Sequence, residues 1–499
     1  MANVLDLSLT ATNIVYDNGS SGLRATNVQT AIDELNVINS EVLVVNLSTN
    51  NSTPVTGSVI FVEDNTDTTK SQSYTIKSGE TSHSFVLMAN HSFTVSVSSK
   101  TGFDSPTPMS FVSIGGATRS LSLQYLVWFV YGYKIEKENG NPDMRVIYTN
   151  DSLNFISAGM NYNANRWIWG SWESFVKEYF RPCMLNFDGT VAYYLDPNDQ
   201  TKKADGTPSD VSNINFGGNA MVEVKKLYLY EYADANFSYH MVSSHKIDSN
   251  YVAYPFTNAN GTEKNFAYFP MFEGSLDSQG KMRSIAGRTI SASMGGQQQI
   301  DAVNLNGEGY YTDYWSAHNF MVVMHTLIGK STNSQVVFGQ GVTRTNVSIQ
   351  TGTLKSSGGF FGYSNRLNAV KTFWMENNWG NVYKKCMGIV TDASSNMLVK
   401  MTAPYNSTGS GYTNLGTTSS TDGYIKYIST TNNGYRPIDT NGSSTSFFCD
   451  SFFKKPNCYG MVSGFWASNV GAGCFFLNIS DPFSYTDTYY GCRLFFVSP

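Results

Sequence analysis

The sequence has few charged residues and no segment suited to crossing a membrane. Charged residues make up 14% of its 499 residues, against about 25% in an ordinary globular protein. A net charge of −5 gives no basic surface, so nucleic-acid binding is not expected. No apolar run approaches the roughly 20 residues that span a bilayer, and we expect no membrane insertion. The first residues lack the basic start and apolar core of a signal peptide, so we expect release by another route such as lysis.

Signatures of catalysis and of metal binding are also missing. The sequence contains no G-x-S-x-G elbow, no C-x-x-C pair and no cysteine placed to be activated by a histidine. No context marks a pair of carboxylates for glycoside cleavage, and no β-helix repeat typical of depolymerase fibres is visible. We therefore predict a protein that is not an enzyme and that has no cofactor and no metal.

Two chemical alternatives stay open. The six cysteines favour buried free thiols, but a disulfide such as Cys474–Cys492 is compatible with the sequence. Asp196, Asn198 and Asp205 lie in an oxygen-rich loop that could offer ligands to calcium. That loop has neither the glycine position nor the closing glutamate of an EF-hand, so a solvated turn is the favoured interpretation.

Aromatic and small polar residues are abundant instead. Aromatics are 14% of the chain and glycines number 43, which predicts a mainly β fold of short strands joined by turns. The chain is too long for one ordinary core, so several domains are expected. In residues 41–125, period-two segments such as 57–62 and 92–97, with turns at Gly79 and Asn90, predict a small β-sandwich. This segment resembles the Ig-like spacer domains of surface and phage proteins.

Residues 1–40 are predicted to be an irregular arm followed by one helix. The apolar residues of this helix recur at three- and four-residue spacing and form one narrow stripe: Val28, Ala31, Ile32 and Leu35. A lone helix this short is only marginally stable in water, so it needs a partner. Copies of the same helix could serve as that partner and would hold three chains in register. Packing on its own domain is the alternative. The phrase L-x-A-T-N-V-Q-x-A-I-D-E-L resembles a module of phage tail and fibre proteins that lies near trimer axes.

Residues 126–499 are interpreted as one large α+β domain, because no linker is evident after the aromatic run 126–133. A helix is predicted over 313–330. His318 and His325 would lie on one face of that helix, among apolar neighbours, and we expect them to be partly buried with satisfied nitrogens rather than metal ligands.

A second phrase in this domain predicts a tight, buried turn. It reads Glu376-Asn377-Asn378-Trp379-Gly380-Asn381-Val382-Tyr383 and is followed by Gly388-Ile389. Trp379-Gly380-Asn381 suits a large ring packed where the backbone turns sharply. Glu376, beside two asparagines, is expected to anchor a buried hydrogen-bond network rather than to act as an acid catalyst.

The order of these phrases resembles a family of phage fibre proteins with a C-type-lectin-like C-terminal domain. The pattern E-N-x-W-G-N is also similar to the formylglycine-generating-enzyme branch of that fold, whose oxidases use a pair of cysteines. Cys474 and Cys492 lie near the corresponding part of the chain but match no pattern of that branch. The resemblance implies surface recognition, and it does not imply oxidase activity.

The last stretch, 464–499, combines aromatic rings with amides and ends in the apolar run Leu494-Phe495-Phe496-Val497, which predicts a buried strand. Ring faces stack on sugars or anchor in protein pockets, and asparagines fix orientation by hydrogen bonds. We expect the exposed rings to be Trp466, Tyr485, Tyr489 and Tyr490. The predicted receptor-binding residues are Trp466, Asn469, Asn478, Tyr485, Tyr489 and Tyr490.

These expectations combine into a homotrimeric virion fibre of the head or of the tail. Residues 1–40 would dock on phage capsid or tail proteins and register three chains, 41–125 would act as a spacer, and 126–499 would bind a host-surface glycan or protein. Repeated weak sites would gain strength by avidity. The alternatives are a purely structural capsid-decoration or baseplate protein, and an enzyme of the formylglycine-generating type.

Overall fold

The computed structural model describes residues 27–30, 32 and 39–499. Strands make up 38% and helices 11% of the protein, so the predicted mainly β fold class is confirmed. The chain divides into two compact units, Met1–Trp128 and Phe129–Pro499. This division lies within the aromatic run 126–133. No helix in the described part of the chain is long and apolar enough to cross a membrane.

Little of the N-terminal segment is described. Residues 28–30 and 32 are helical, and the Ile32 side chain is 44% exposed. Two residues of the predicted trimerisation stripe, Ala31 and Leu35, lie outside the described residues.

The described part of the first unit contains eight strands. They are β1 Ser40–Thr49, β2 Val59–Asp64, β3 Gln72–Thr75, β4 Ser82–Met88, β5 Ser92–Val97, β6 Phe103–Asp104, β7 Met109–Val112 and β8 Thr118–Val127. They form two four-stranded sheets, in the orders β4-β1-β8-β6 and β3-β2-β5-β7. Alternate residues of each strand point inward, so Leu43 and Val45 of one sheet share a core with Val62 and Phe93 of the other. Two sheets around one core form a sandwich.

The second unit contains most of the strands. They are β9 Val130–Glu136, β10 Val146–Asn150, β11 Gly159–Asn161, β12 Arg166–Ile168, β13 Phe180–Asn186, β14 Val191–Tyr194, β15 Gly218–Lys225, β16 Tyr228–Ala233, β17 Phe237–Ser243, β18 Phe266–Pro270, β19 Ser275–Leu276, β20 Met282–Arg283, β21 Tyr310–Tyr311, β22 Lys371–Thr372, β23 Met375–Glu376, β24 Tyr383–Thr391, β25 Asn396–Val399, β26 Thr413–Thr417, β27 Gly423–Tyr424, β28 Tyr427–Thr431, β29 Gly434–Asp439, β30 Ser451–Lys454, β31 Tyr459–Val462, β32 Leu477–Asp481, β33 Tyr490–Gly491 and β34 Phe495–Phe496.

Three larger sheets organise this unit. Their orders are β10-β9-β17-β16, β14-β13-β15-β18-β34-β21 and β26-β25-β24-β31-β32-β30-β27, with β33 joining the last sheet beside β24. The chain end forms an inner strand, because Phe496 of β34 pairs with both Tyr268 and Tyr310. The prediction of a buried strand at Leu494–Val497 is confirmed, since all four residues are buried.

One helix lies at the centre of the second unit. The four described helices of this unit are Glu173–Tyr179, Gly296–Asn304, Trp315–Gly329 and Ser334–Phe338. Trp315–Gly329 corresponds to the helix predicted over 313–330, and it is buried around nearly its whole circumference. A helix that is apolar on all sides belongs in a core, and this one ends at Lys330 in a left-handed conformation with φ of 51°.

The predicted tight turn at Trp379-Gly380-Asn381 is also confirmed. Trp379 is fully buried, and Gly380 has φ of 79°. A Cβ at Gly380 would lie 2.6 Å from the carbonyl oxygen of Val342. Only glycine therefore satisfies both the left-handed backbone and the close approach of this neighbouring chain segment.

Candidate receptor-binding surface

Two loops near the chain end carry most of the predicted contact residues. The first, 463–476, joins β31 to β32, and the second, 482–489, joins β32 to β33. We call them the terminal loops. Since β31 and β33 both pair with β24, that strand positions one end of each loop.

An aromatic cluster lies beneath the terminal loops, and Tyr383 of β24 is at its centre. The Tyr383 ring lies 4.7 Å from Phe465, 5.6 Å from Phe476 and 5.5 Å from Tyr490, measured between centroids. Burial raises the pKa of Tyr383 to about 12. Rings at these distances and tilts attract one another beyond their buried area, so the loops rest on a packed base.

Four of the predicted contact residues reach the surface. Tyr485 is 39% exposed, Asn469 is exposed, and Trp466 and Tyr489 are half-buried. The Trp466 ring lies edge-on against Phe465 at 5.1 Å. These rings are partly exposed while the cluster contacts them from below, which is the arrangement a preformed contact surface needs.

The other two predicted contact residues are buried, so the predicted exposure of the Tyr490 ring is wrong. Tyr490 is 1% exposed, and its hydroxyl donates to Asp481 Oδ2 at 2.5 Å. Asn478 is 6% exposed, because it lies within β32 between two paired strands, and its Oδ1 accepts from the backbone NH of Ser480 at 2.9 Å. Both side chains support the loops from below.

Arg366, which no local sequence pattern indicates, fixes Asn469. Arg366 Nη1 donates to Asn469 Oδ1 at 2.7 Å, and Arg366 Nε donates to Gln340 Oε1 at 3.0 Å. Asn469 itself has φ of 57°, a left-handed conformation that asparagine tolerates better than most residues. Its Oδ1 is taken by the arginine, so its amide hydrogens are the groups left to donate outward.

A buried lysine holds the second terminal loop. Lys385 is 3% exposed, its Nζ donates to the carbonyl oxygen of Tyr485 at 2.8 Å, and it lies 4.5 Å from the Tyr490 ring centroid. Burial lowers the pKa of the Lys385 ammonium to about 8, against the opposing attraction of Asp481. The ammonium thus orders the loop at a cost in desolvation.

A buried ion pair supports the first terminal loop. Glu273 and Lys384 are both buried and lie 2.9 Å apart. The side-chain amides of Asn377 and Asn381 donate to Glu273 Oε2 at 2.9 and 2.5 Å. The Asn381 carbonyl oxygen in turn accepts from the backbone NH of Trp466 at 3.1 Å. The E-N-x-W-G-N phrase is therefore connected to the contact surface through its asparagines.

The expectation that Glu376 anchors a buried network is confirmed. Its carboxylate is 1% exposed and accepts from the backbone NH groups of Gly352 and Leu354, each at 2.9 Å. Burial raises the pKa of Glu376, and the nearby ammonium of Lys371 opposes that rise. A carboxylate without solvent access whose oxygens are bound to backbone is suited to a structural role.

His325 is buried, His318 is half-buried, and both are hydrogen-bonded, which agrees with the predicted partly buried pair. His325 Nδ1 donates to the Met321 carbonyl oxygen at 2.6 Å, and its Nε2 lies 2.8 Å from Thr372 Oγ1. His318 Nε2 lies 3.3 Å from the Tyr435 hydroxyl. Burial lowers the pKa of each histidine to about 3, so both rings are neutral near pH 7.

The small cavity beside these histidines has little room for chemistry. It is lined by Asp313, His318, His325, Cys474 and Arg493, among others, and its volume is about 30 Å³. A water molecule needs roughly 10–15 Å³, so the cavity suits water and not a substrate. Within 27–30, 32 and 39–499, no three His, Cys, Asp or Glu side chains form a group that could hold a metal.

The cysteines are free thiols, and two carboxylates of the oxygen-rich loop accept hydrogen bonds from the backbone of their own turns. All six cysteines are free and buried. Asp196 Oδ1 accepts from the backbone NH of Asn198 at 2.7 Å, and Asp205 Oδ1 accepts from the backbone NH of Thr207 at 2.9 Å. These carboxylates cap their own turns.

No family model matches the sequence, and no curated protein matches it. Among solved structures, the chain is similar to a C-terminal fragment of the pilus adhesin SpaC from Lactobacillus rhamnosus GG, with 14% identity over 18% of this chain and 46% of that fragment, and a TM-score of 0.15. It is also similar to the shaft pilin SpaA of the same bacterium, with 8% identity over 37% of this chain and 74% of that pilin, and a TM-score of 0.16. A streptococcal ancillary pilin gives 8% identity over 42% of this chain and 60% of that pilin, with a TM-score of 0.17. TM-scores this low do not indicate a shared overall fold.

Proposed function

We propose that this protein is a structural fibre of a bacteriophage virion, on the head or on the tail, and that it is not an enzyme. It would be a homotrimer anchored to capsid or tail proteins by its N-terminus. Residues 41–125 would be an Ig-like spacer, and the C-type-lectin-like C-terminal domain would bind a glycan or a protein on the host surface. The protein would assemble in the host cytoplasm and act on the particle surface.

The observation that carries this proposal is the construction of the terminal loops. They expose Tyr485 and Asn469 and half-expose Trp466 and Tyr489, while buried charges and rings fix the backbone below them. A surface ordered before binding loses less conformational entropy when the partner arrives. Rings and amides together suit either a sugar or a protein epitope.

The exposure of Ile32 supports the trimer. An isoleucine that is 44% exposed on a short helix leaves apolar surface uncovered in the single chain, and a second and third copy of the helix would cover it. Three C-terminal units on one fibre would then raise the strength of attachment to a repeated receptor.

A capsid-decoration or baseplate protein without receptor binding is the second candidate. The buried lysines and asparagines that hold the terminal loops would serve that role equally well if the loops contacted another virion protein. The two candidates differ in one measurable respect, which is whether the isolated full-length protein binds bacterial surfaces.

The test uses the labelled full-length chain on a panel of bacterial cells. We expect saturable binding to the host, and a large loss of binding for Tyr485→Ala combined with Trp466→Ala. Tyr232→Ala is the matched control, because Tyr232 is 37% exposed, close to the 39% of Tyr485, and lies outside the terminal loops. Absence of binding to every strain would favour the decoration protein. Equal binding by the double variant and the control would remove the terminal loops from the proposal.

A further inference from the structure

A groove of about 390 Å³ lies beside the second terminal loop, in a region that the sequence did not mark. One side is the helix Gly296–Asn304, and the other is the segment 404–407 together with Tyr311 and Tyr459. Phe483 of the second terminal loop closes one end, packed so tightly that a Cβ at Gly296 would lie 2.0 Å from its ring. The volume falls in the range of about 300–1,000 Å³ that small-molecule sites occupy.

The walls of the groove are aromatic and fixed. Tyr311 and Tyr405 meet edge to face, with 6.4 Å between centroids, and Tyr314 stacks behind Tyr405 at 6.1 Å. Tyr459 and Phe483, which also line the groove, lie 4.7 Å apart between centroids. Tyr311, Tyr405 and Phe483 are half-buried, so each is held in place while part of its ring borders the groove. Ring faces of this kind stack on the apolar C–H faces of sugars.

The rim of the groove carries amides and a hydroxyl. Gln297 and Asn304 are exposed and lie two helical turns apart on one face of the helix, and Ser407 is exposed on the opposite rim. Gln297 Nε2 donates to Asp301 Oδ1 at 2.8 Å, which orients the amide and leaves its oxygen free to accept. Amides both donate and accept, as sugar hydroxyl groups do.

The charge of the groove selects among sugars. Its lining residues include no lysine, arginine, aspartate or glutamate. A carboxylate, that of Asp301, lies beside the rim and accepts a hydrogen bond from Gln297. An acidic saccharide would find no cation here and would meet a negative charge beside Gln297. A neutral saccharide would meet rings on its faces and amides at its hydroxyls.

We propose that this groove binds a neutral saccharide, with Tyr311, Tyr405 and Phe483 against its apolar faces and with Gln297 and Asn304 bonded to its hydroxyl groups. The inference rests on the proposed host attachment, but it names a different site from the terminal loops and commits to one class of ligand. In the fibre, a sugar held here would lie beside the second terminal loop, so that the two surfaces could engage one extended glycan.

The test measures binding of neutral oligosaccharides of glucose, galactose and N-acetylglucosamine to the full-length protein by calorimetry, with uronate and sialic-acid oligosaccharides as the acidic comparison. We expect at least one neutral series to bind and the acidic series not to bind. Gln297→Ala combined with Asn304→Ala should weaken the binding about ten-fold or more, because two hydrogen bonds are lost. Alanine at exposed helix positions preserves the helix, and Gln279→Ala, at an exposed amide outside the groove, is the control.

Each outcome separates this inference from the proposed function. Host-cell binding without binding of any neutral oligosaccharide refutes the groove site and leaves a protein receptor or another glycan for the terminal loops. Neutral-sugar binding that the double variant retains also refutes the groove site, because the sugar then binds elsewhere. Failure to bind both cells and sugars refutes the two proposals together.

Discussion

Replacing Lys385 with methionine removes a charge that burial disfavours and keeps the length and apolar stem of the side chain. In the folded protein burial lowers the pKa of this ammonium from the ordinary value of 10.5 to about 8, with Asp481 acting in the opposite direction. Between these two values the unfolded chain holds more protons on Lys385 than the folded chain does. Stability therefore rises with pH across this window, and the cost of the buried charge is complete below pH 8.

The size of the effect follows from the same two values. The pKa falls by about 2.5, and a change of one corresponds to about 1.4 kcal/mol, so burial of the charged form costs about 3 kcal/mol at pH 7. At pH 10 the folded form is almost fully neutral and the unfolded form is largely charged, which leaves about 1 kcal/mol. The natural protein should therefore become more stable relative to the Lys385→Met variant by about 2 kcal/mol between pH 7 and pH 10.

Urea unfolding in reducing buffer measures this difference. Tryptophan fluorescence reports on the second unit, because Trp172, Trp315, Trp374 and Trp379 are buried there. Tyrosines and cysteines also titrate in this range, but they are common to both proteins and cancel in the comparison. The variant also loses the hydrogen bond to the Tyr485 carbonyl, which changes its free energy of unfolding by an amount that is the same at both pH values. Lys177→Met is the control for loss of an exposed lysine, since the Lys177 side chain is 49% exposed. A constant difference for Lys385→Met would refute the reasoning.

Three further perturbations test the rest of the structure. Glu273→Gln leaves the ammonium of Lys384 buried without its carboxylate, and should lower the free energy of unfolding by about 3–5 kcal/mol in urea titrations. Gly296→Ala drives a methyl group into the Phe483 ring, and should cost about 1–3 kcal/mol in the same titrations and increase proteolysis of the second terminal loop. Ile32→Asp places a charge in the proposed helix seam, and light scattering should show a monomer where the natural chain gives a trimer.

Each of these tests has an internal comparison. Gly217→Ala is the control for Gly296→Ala and should leave the free energy of unfolding unchanged, because a Cβ at Gly217 has no atom within 4 Å. Combining Lys384→Met with Glu273→Gln should cost less than the sum of the single changes, because the remaining partner no longer stays charged and unpaired. A natural chain that is monomeric by light scattering would remove the trimer from the proposal, whatever the behaviour of Ile32→Asp.

The features that the sequence predicted correctly all have local signals. The run Leu494–Val497 is apolar without interruption, and the helix Trp315–Gly329 is rich in apolar residues along its length, so both sequences favour burial. Trp379-Gly380-Asn381 predicts its turn because a large ring next to a glycine requires one. Such signals lie within a few residues of one another, and they do not depend on which distant segment packs against them.

The features that were missed depend on contacts between distant segments. Arg366 binds Asn469 across 103 positions of the chain, and no local pattern at either residue indicates the other. Tyr489 and Tyr490 are adjacent and identical, yet only the second is buried. Tyr489 ends the second terminal loop and Tyr490 begins β33. Consecutive residues of extended backbone point to opposite sides, so a shift of one position in the pairing of β33 with β24 would exchange the two tyrosines. The register between β33 and β24 depends on the whole sheet, so the local sequence does not predict which tyrosine is buried.

Lys384 and Lys385 show how the same rule joins the core to the candidate binding surface. As neighbours in one strand they point to opposite faces, and in sequence both resemble ordinary surface lysines. Lys384 reaches Glu273 in the core, where the asparagines of the Trp379 turn also bind. Lys385 reaches the Tyr485 carbonyl in the second terminal loop. Two desolvated ammonium groups cost stability that apolar residues would not. Both ammonium groups contact groups that fix the terminal loops, so their cost in stability accompanies an ordered candidate binding surface.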